Sequence, residues 1–325
     1  MRRAVVPWLV AALLATAAAT GGVWALNATT FGPAGFVRVY LEAVARGDAT
    51  GALGLAGVTV DPAARTDFLN DRALVGLTDL REVSEVPGDD GTTVVTFAWR
   101  APSGDGLSSF TVRAAGTRFA IFPRWEFAIS PVATLHLTVE HDQRFTINGI
   151  DATSGVDAAD PVDYAVLVPG DYTIDHTSTY LQAEAVVAIP DRPSSTIAES
   201  LDIEPSPAFA SRVMKEVDAT LTTCATQLVL FPTGCPLGHS IADRVVSTPT
   251  WSIVDYPNLD IVASATFGQW SVPPTTGTAH LTVDVKSLFD GTVTTFDDDV
   301  EFTVRFGVTI EPDDTTLRIV PHYDD

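Results

Sequence analysis

The chain has 325 residues, 46 % hydrophobic and 18 % charged, with 23 glycines and 21 prolines. That composition excludes a disordered, collagen-like or simple coiled-coil protein and leaves room for two or three domains. Acidic side chains outnumber basic ones 41 to 19, a formal charge of −22, so the basic footprint of a nucleic-acid-binding protein is missing and no such partner is expected.

Arg2 and Arg3 precede an uncharged run whose apolar centre is Val5 to Leu26. Its 22 residues would make a helix of about 33 Å, against about 30 Å of hydrocarbon in a bilayer. Trp8 and Trp24 lie near its two ends, where interfacial tryptophans sit. Residues 1–30 are therefore expected to form a cytoplasmic tip and a single transmembrane signal anchor, with everything after them extracellular. A cleaved signal peptide is the alternative, since Ala15-Thr16-Ala17 and Ala17-Ala18-Ala19 fit the small-residue cleavage pattern. Either reading exports the remainder, which carries every acidic side chain.

Three segments follow. In the first, 31–129, Pro33 opens a helix whose apolar face is Phe36, Val39, Tyr40, Ala43 and Val44. Asp61 as N-cap and Pro62 behind it predict a second helix over DPAARTDFLNDRAL. The period then changes to two, predicting strands in REVSEV, GTTVVTFAWRA, LSSFTVRAA and RFAIFPRWEFAI. The second segment, 130–198, shows only strand and turn signals and reads as a small antiparallel β domain with a linker. The third, 199–325, repeats the plan: a helix opening at Pro207-Ala208-Phe209, with Ala210, Val213, Met214, Val217, Leu221 and Cys224 as its stripe, then long alternating strands.

Cys224 and Cys235 are the two cysteines of the chain. Outside the cytoplasm, two cysteines this close are expected to form a disulfide. A zinc site needs about four ligands, and only His239 lies nearby; a thiol nucleophile needs a base that is not visible.

PAGFVRVYLEAVARGDATGAL followed by TTVVTFAWR resembles the NTF2-like, or cystatin-like, α+β fold of exported proteins of high-GC Gram-positive bacteria. FTINGIDA and LVPGDYTI look like small envelope β modules with a PG-x-Y turn. The order of anchor, NTF2-like module, β module and second NTF2-like module is similar to the teicoplanin-resistance-associated membrane proteins, without their zinc ribbon. The resemblance implies an α+β protein with two NTF2-like domains. It brings no catalytic residue.

In such folds the concave face of the sheet can hold a pocket. Tyr40 is the phenol that would point into it, with Trp99, Arg124 and Trp125 as lining, or else a filled core with the Tyr40 hydroxyl satisfied at its edge. The six histidines (136, 141, 176, 239, 280 and 322) show no metal-binding spacing. His136 and His141, five apart on a strand, should face opposite ways. Asp297-Asp298-Asp299 lacks the alternation of a calcium loop and reads as a solvated hairpin tip or strand start. The expectation is thus a non-enzymatic ectodomain without cofactor or metal, binding a wall polymer, lipid or envelope protein. The alternative is an enzyme or lipid carrier with a cavity in the sheet.

Overall fold

Residues 31–118, 122–156, 160–311 and 314–321 are described by the computed structural model. Helix α1 (Pro33–Ala45) begins with proline in its first turn, where a missing N–H costs nothing. It buries Val37, Tyr40, Leu41, Ala43 and Val44, while Val39 is 53 % exposed. The expected stripe is thus rotated, because Val37 and Leu41 supply an equally apolar row facing the sheet. Asp48 caps a short helix α2 (Ala49–Leu53) by accepting the Gly51 N–H at 2.7 Å.

The helix expected from Asp61 onward does not form. Asp61 takes the Ala63 N–H in a local turn at 2.9 Å. Arg65 then pairs like a strand: its N–H donates to Asp163 and its carbonyl accepts from Ala165, both at 2.8 Å. Phe68 is drawn into the core against Phe145 and Tyr164. Only a single 3-10 turn at Asp71–Ala73 remains. Tertiary pairing overrides the local helix signal.

The first sheet is an antiparallel meander of β1 (Thr78–Pro87), β2 (Thr92–Ala101), β3 (Gly104–Arg118) and β4 (Phe122–Phe127). Phe97, Trp99, Phe110, Val112 and Phe127 are buried, and Phe36 and Tyr40 of α1 pack on Phe110 and Phe127.

Eight strands follow: β5 (Val132–Glu140), β6 (Arg144–Ile147), β7 (Ile150–Thr153), β8 (Val162–Leu167), β9 (Tyr172–Asp175), β10 (Leu181–Ala183), β11 (Val186–Ala188) and β12 (Thr196–Pro205). They form two sheets, ordered β10-β12-β5-β8 and β11-β9-β6-β7. Phe145 of one meets Tyr164 of the other, ring centroids 5.9 Å apart. The PG-x-Y turn has a steric reason. A side chain on Gly170 would collide with the Tyr172 ring. That ring folds back so that its hydroxyl accepts the Leu167 N–H at 3.0 Å. Strand β12 lies parallel to β5 and runs through residue 198, where the sequence suggested a boundary.

Directly after β12, Ser206 caps helix α3 (Pro207–Ala225), its hydroxyl accepting the Phe209 N–H at 3.3 Å. Phe209, Val213, Val217, Leu221 and Cys224 are buried, whereas Met214 is exposed. The last sheet holds β13 (Arg244–Val245), β14 (Thr250–Asp255), β15 (Val262–Ala263), β16 (Gln269–Lys286), β17 (Val293–Ile310) and β18 (Leu317–Pro321). Its order is β13-β16-β17-β18, with β14 and β15 also paired to β16. Cys224 and Cys235 are bridged, with Cα atoms 5.8 Å apart.

The α+β expectation is overturned. Strand accounts for 48 % and helix for 15 %, so the fold is mostly β, with three α-helices among the described residues. Each end segment has one substantial helix against a sheet of four or six strands, too little helix for two α+β domains. The expected N-terminal transmembrane helix lies outside the described residues. Among those described, no helix is long and apolar enough to cross a membrane.

Candidate functional site

The residues suspected of lining a pocket do not converge on one. Tyr40 is fully buried, and its hydroxyl proton is shared between the carbonyls of Val168 at 2.7 Å and Pro131 at 3.0 Å. Burial pushes this phenol well above its ordinary pKa, with nearby Tyr172 adding to the effect, so it is not poised for proton transfer near neutrality. Trp99 is buried and donates to the Ser108 hydroxyl at 2.9 Å. Trp125 donates to the Phe31 carbonyl at 2.9 Å, while Arg124 is exposed. The inner face of the first sheet is a filled core.

Histidine and carboxylate groups meet elsewhere. His136 contacts Asp163 at 2.6 Å, and His141, just beyond β5 with φ +70, contacts Asp202 at 2.9 Å. The two histidines thus serve different carboxylates. Because β12 runs parallel to β5, Asp202 lies opposite Glu140. Glu140, His141 and Asp202 consequently offer three ligand atoms within 4.8 Å of one another. One imidazole and two carboxylates suit a divalent transition cation in type. The Ser200 hydroxyl already donates to Glu140 at 2.8 Å, and His141 also approaches the Ile203 carbonyl at 3.3 Å.

His141 and Asp202 of this trio border a groove of about 490 Å³ between the second sheet and the third segment. His141, Asp202, Glu204 and Asp260 form its polar rim, and Leu259 and Trp270 its apolar side. Sequence reasoning missed the groove, since 61 residues separate His141 from Asp202. The local signal was the Glu140-His141 pair closing an alternating strand.

A second cluster fastens the third segment to the middle sheets. Arg144 bonds Asp142 through two nitrogens, at 3.0 and 2.9 Å, and reaches Asp314 at 3.2 Å. Asp314 in turn accepts the Thr179 N–H at 3.1 Å. His176 sits beside this network, and burial lowers its pKa.

Of the two expected places for Asp297, Asp298 and Asp299, the hairpin tip is not the one taken: they lie in the early part of β17. On one face of the hairpin, His280 meets Asp299 at 2.7 Å and Asp297 at 3.0 Å, and Thr282 donates to Asp297 at 2.7 Å. With both ring nitrogens against carboxylates, the favoured form is the doubly protonated imidazolium. The bonds to Asp299, then Asp297, raise the His280 pKa above the ordinary 6.5. The stability this rung contributes is therefore complete between about pH 4 and about pH 6.5. It is lost as pH rises through the elevated native value of His280, and on acidification as Asp297, held below its ordinary range by the bonds from Thr282 and His280, takes up a proton. An NMR titration of His280 should show a midpoint above 6.5 that falls in the Asp297→Asn/Asp299→Asn double variant. A wild-type midpoint at or below 6.5 would refute the ladder.

No protein-family model matches the chain, and no curated protein or solved structure matches it either.

Proposed function

We propose that the chain is a cell-envelope protein at the cell membrane, working outside the cytoplasm as a non-enzymatic module that binds a wall polymer, lipid or partner protein on its open surface. The observation that carries this reading is the sealed inner face of the first sheet, where Tyr40, Phe110 and Phe127 fill the space a substrate would need. The Cys224–Cys235 bridge supports the exported setting, because such bonds persist in oxidising compartments. The excess of acid over base suits an ectodomain that remains soluble and avoids nucleic acid. Protease added to intact cells should degrade the part after residue 30. Full protection there, with cleavage restored only on lysis, would overturn the location and with it the binding role.

A further inference from the structure

The β16–β17 hairpin ends in a rigid loop, Ser287 to Thr292. The Ser287 N–H donates to the Thr292 carbonyl at 2.9 Å, and the Gly291 N–H to the Ser287 carbonyl at 3.1 Å. The Ser287 hydroxyl accepts the Phe289 and Asp290 N–H groups at 3.2 and 3.3 Å. Asp243 accepts the Leu288 N–H at 3.1 Å, tying the tip to the start of β13. The loop is thus held open rather than folded back. It leaves Leu288 73 % and Phe289 99 % exposed, with Val293 and Val246 also exposed beside it.

We infer that this tip inserts into the surface of a phospholipid bilayer. The inference rests on the envelope reading for its setting and narrows that reading to one partner class. Area favours lipid over protein. A protruding Phe and Leu bury a few hundred Å² at most, whereas a stable protein interface needs about 800 Å² from each side. A bilayer takes up single apolar side chains and rewards each one separately.

Charge is consistent with this. Arg244 and Lys286 are cross-strand partners at the base of the tip, both exposed and without an ion pair among the described residues. Their long stems can carry the charges to headgroup phosphates while the apolar tip sits deeper. The nearby acids Asp243, Asp290 and Asp284 accept hydrogen bonds from Leu288, Thr292 and Thr295 and keep their negative charges. Arg244 and Lys286 offset all but one of these, so the local charge at the tip is small. The acidic rung at Asp297 begins four residues beyond Val293, about 13 Å along the strand. That exceeds the Debye length of about 8 Å at physiological salt, so its repulsion at the headgroups is screened.

The test uses the full chain carrying Phe289→Cys, whose new thiol is unique because both native cysteines are bridged. It is labelled with a polarity-sensitive fluorophore and mixed with phosphatidylglycerol–phosphatidylethanolamine vesicles. The label should shift to the blue and be quenched by spin-labelled lipid. A label at Leu107→Cys, exposed on the first sheet, should do neither. Adding Arg244→Glu and Lys286→Glu should cut the lipid quenching at 289 severalfold, a readout local to the tip that insertion of the N-terminal segment does not set. A label at 289 that stays as water-exposed as the one at 107 overturns the inference and leaves the tip to a protein partner. Vesicle insertion does not depend on where the cell keeps the protein, so failure of the export reading would be seen separately.

Discussion

Tyr40→Ala should destabilise the folded chain by about 3–5 kcal/mol, the usual cost of removing a buried aromatic ring. The ring is fully buried and packs edge-on against Phe110 and Phe127, with centroids 5.8 and 5.2 Å away. Little around it can close over the gap, because both neighbours belong to paired strands. Tyr40→Phe separates the hydroxyl from the ring. The Pro131 carbonyl keeps the Val168 N–H as a second donor, so mainly the Val168 carbonyl is left wanting, at about 1–3 kcal/mol. Urea unfolding of the three proteins would measure both. If the phenylalanine variant equalled wild type, the bridge from α1 to the middle sheets would carry no energy. If the alanine variant lost under 1 kcal/mol, the core would not be closed as described.

The second large effect concerns the disulfide. Cys235→Ser should cost about 3 kcal/mol, the chain-entropy value for a loop this short. The bridge fastens the buried end of α3 to a loop that contacts the last sheet at two points. The Val229 carbonyl accepts the Trp251 indole N–H at 2.8 Å, and His239 stacks on Phe296 at 4.6 Å. Buried side chains from all three segments belong to one continuous core, so the loss should appear in a single cooperative transition. Reductant should reproduce it in wild type and do nothing further to the variant. Quantitative alkylation of both thiols in protein recovered without reductant would refute the bridge.

What the sequence made legible was mostly local. Alternation in TTVVTFAWR and TLHLTV announced β2 and β5, and the prolines that open α1 and α3 marked both helix starts. The disulfide followed from the spacing and expected location of two cysteines. The failures were non-local. Arg65 left its expected helix because its partners, Asp163 and Ala165, lie about a hundred residues away. The last sheet outgrew its single helix because β16 and β17, eighteen residues each, pair along their length, which no window of local periodicity weighs. The acidic groove depends on a parallel pairing between β5 and β12, and parallel partners share no turn that a sequence could reveal.

That parallel pairing also governs how the molecule carries tension. A pull between the two ends of the described chain enters β5 at Val132 and leaves β12 at Pro205. Their register runs from Thr134 opposite Thr196 to Glu140 opposite Asp202. Because the strands point the same way and are loaded from opposite ends, the ladder is sheared rather than unzipped. Its rungs must yield together. With Ser206 alone between β12 and α3, tension that reaches α3 passes straight into this ladder, and the centre of the protein acts as a mechanical clamp for any load carried to it.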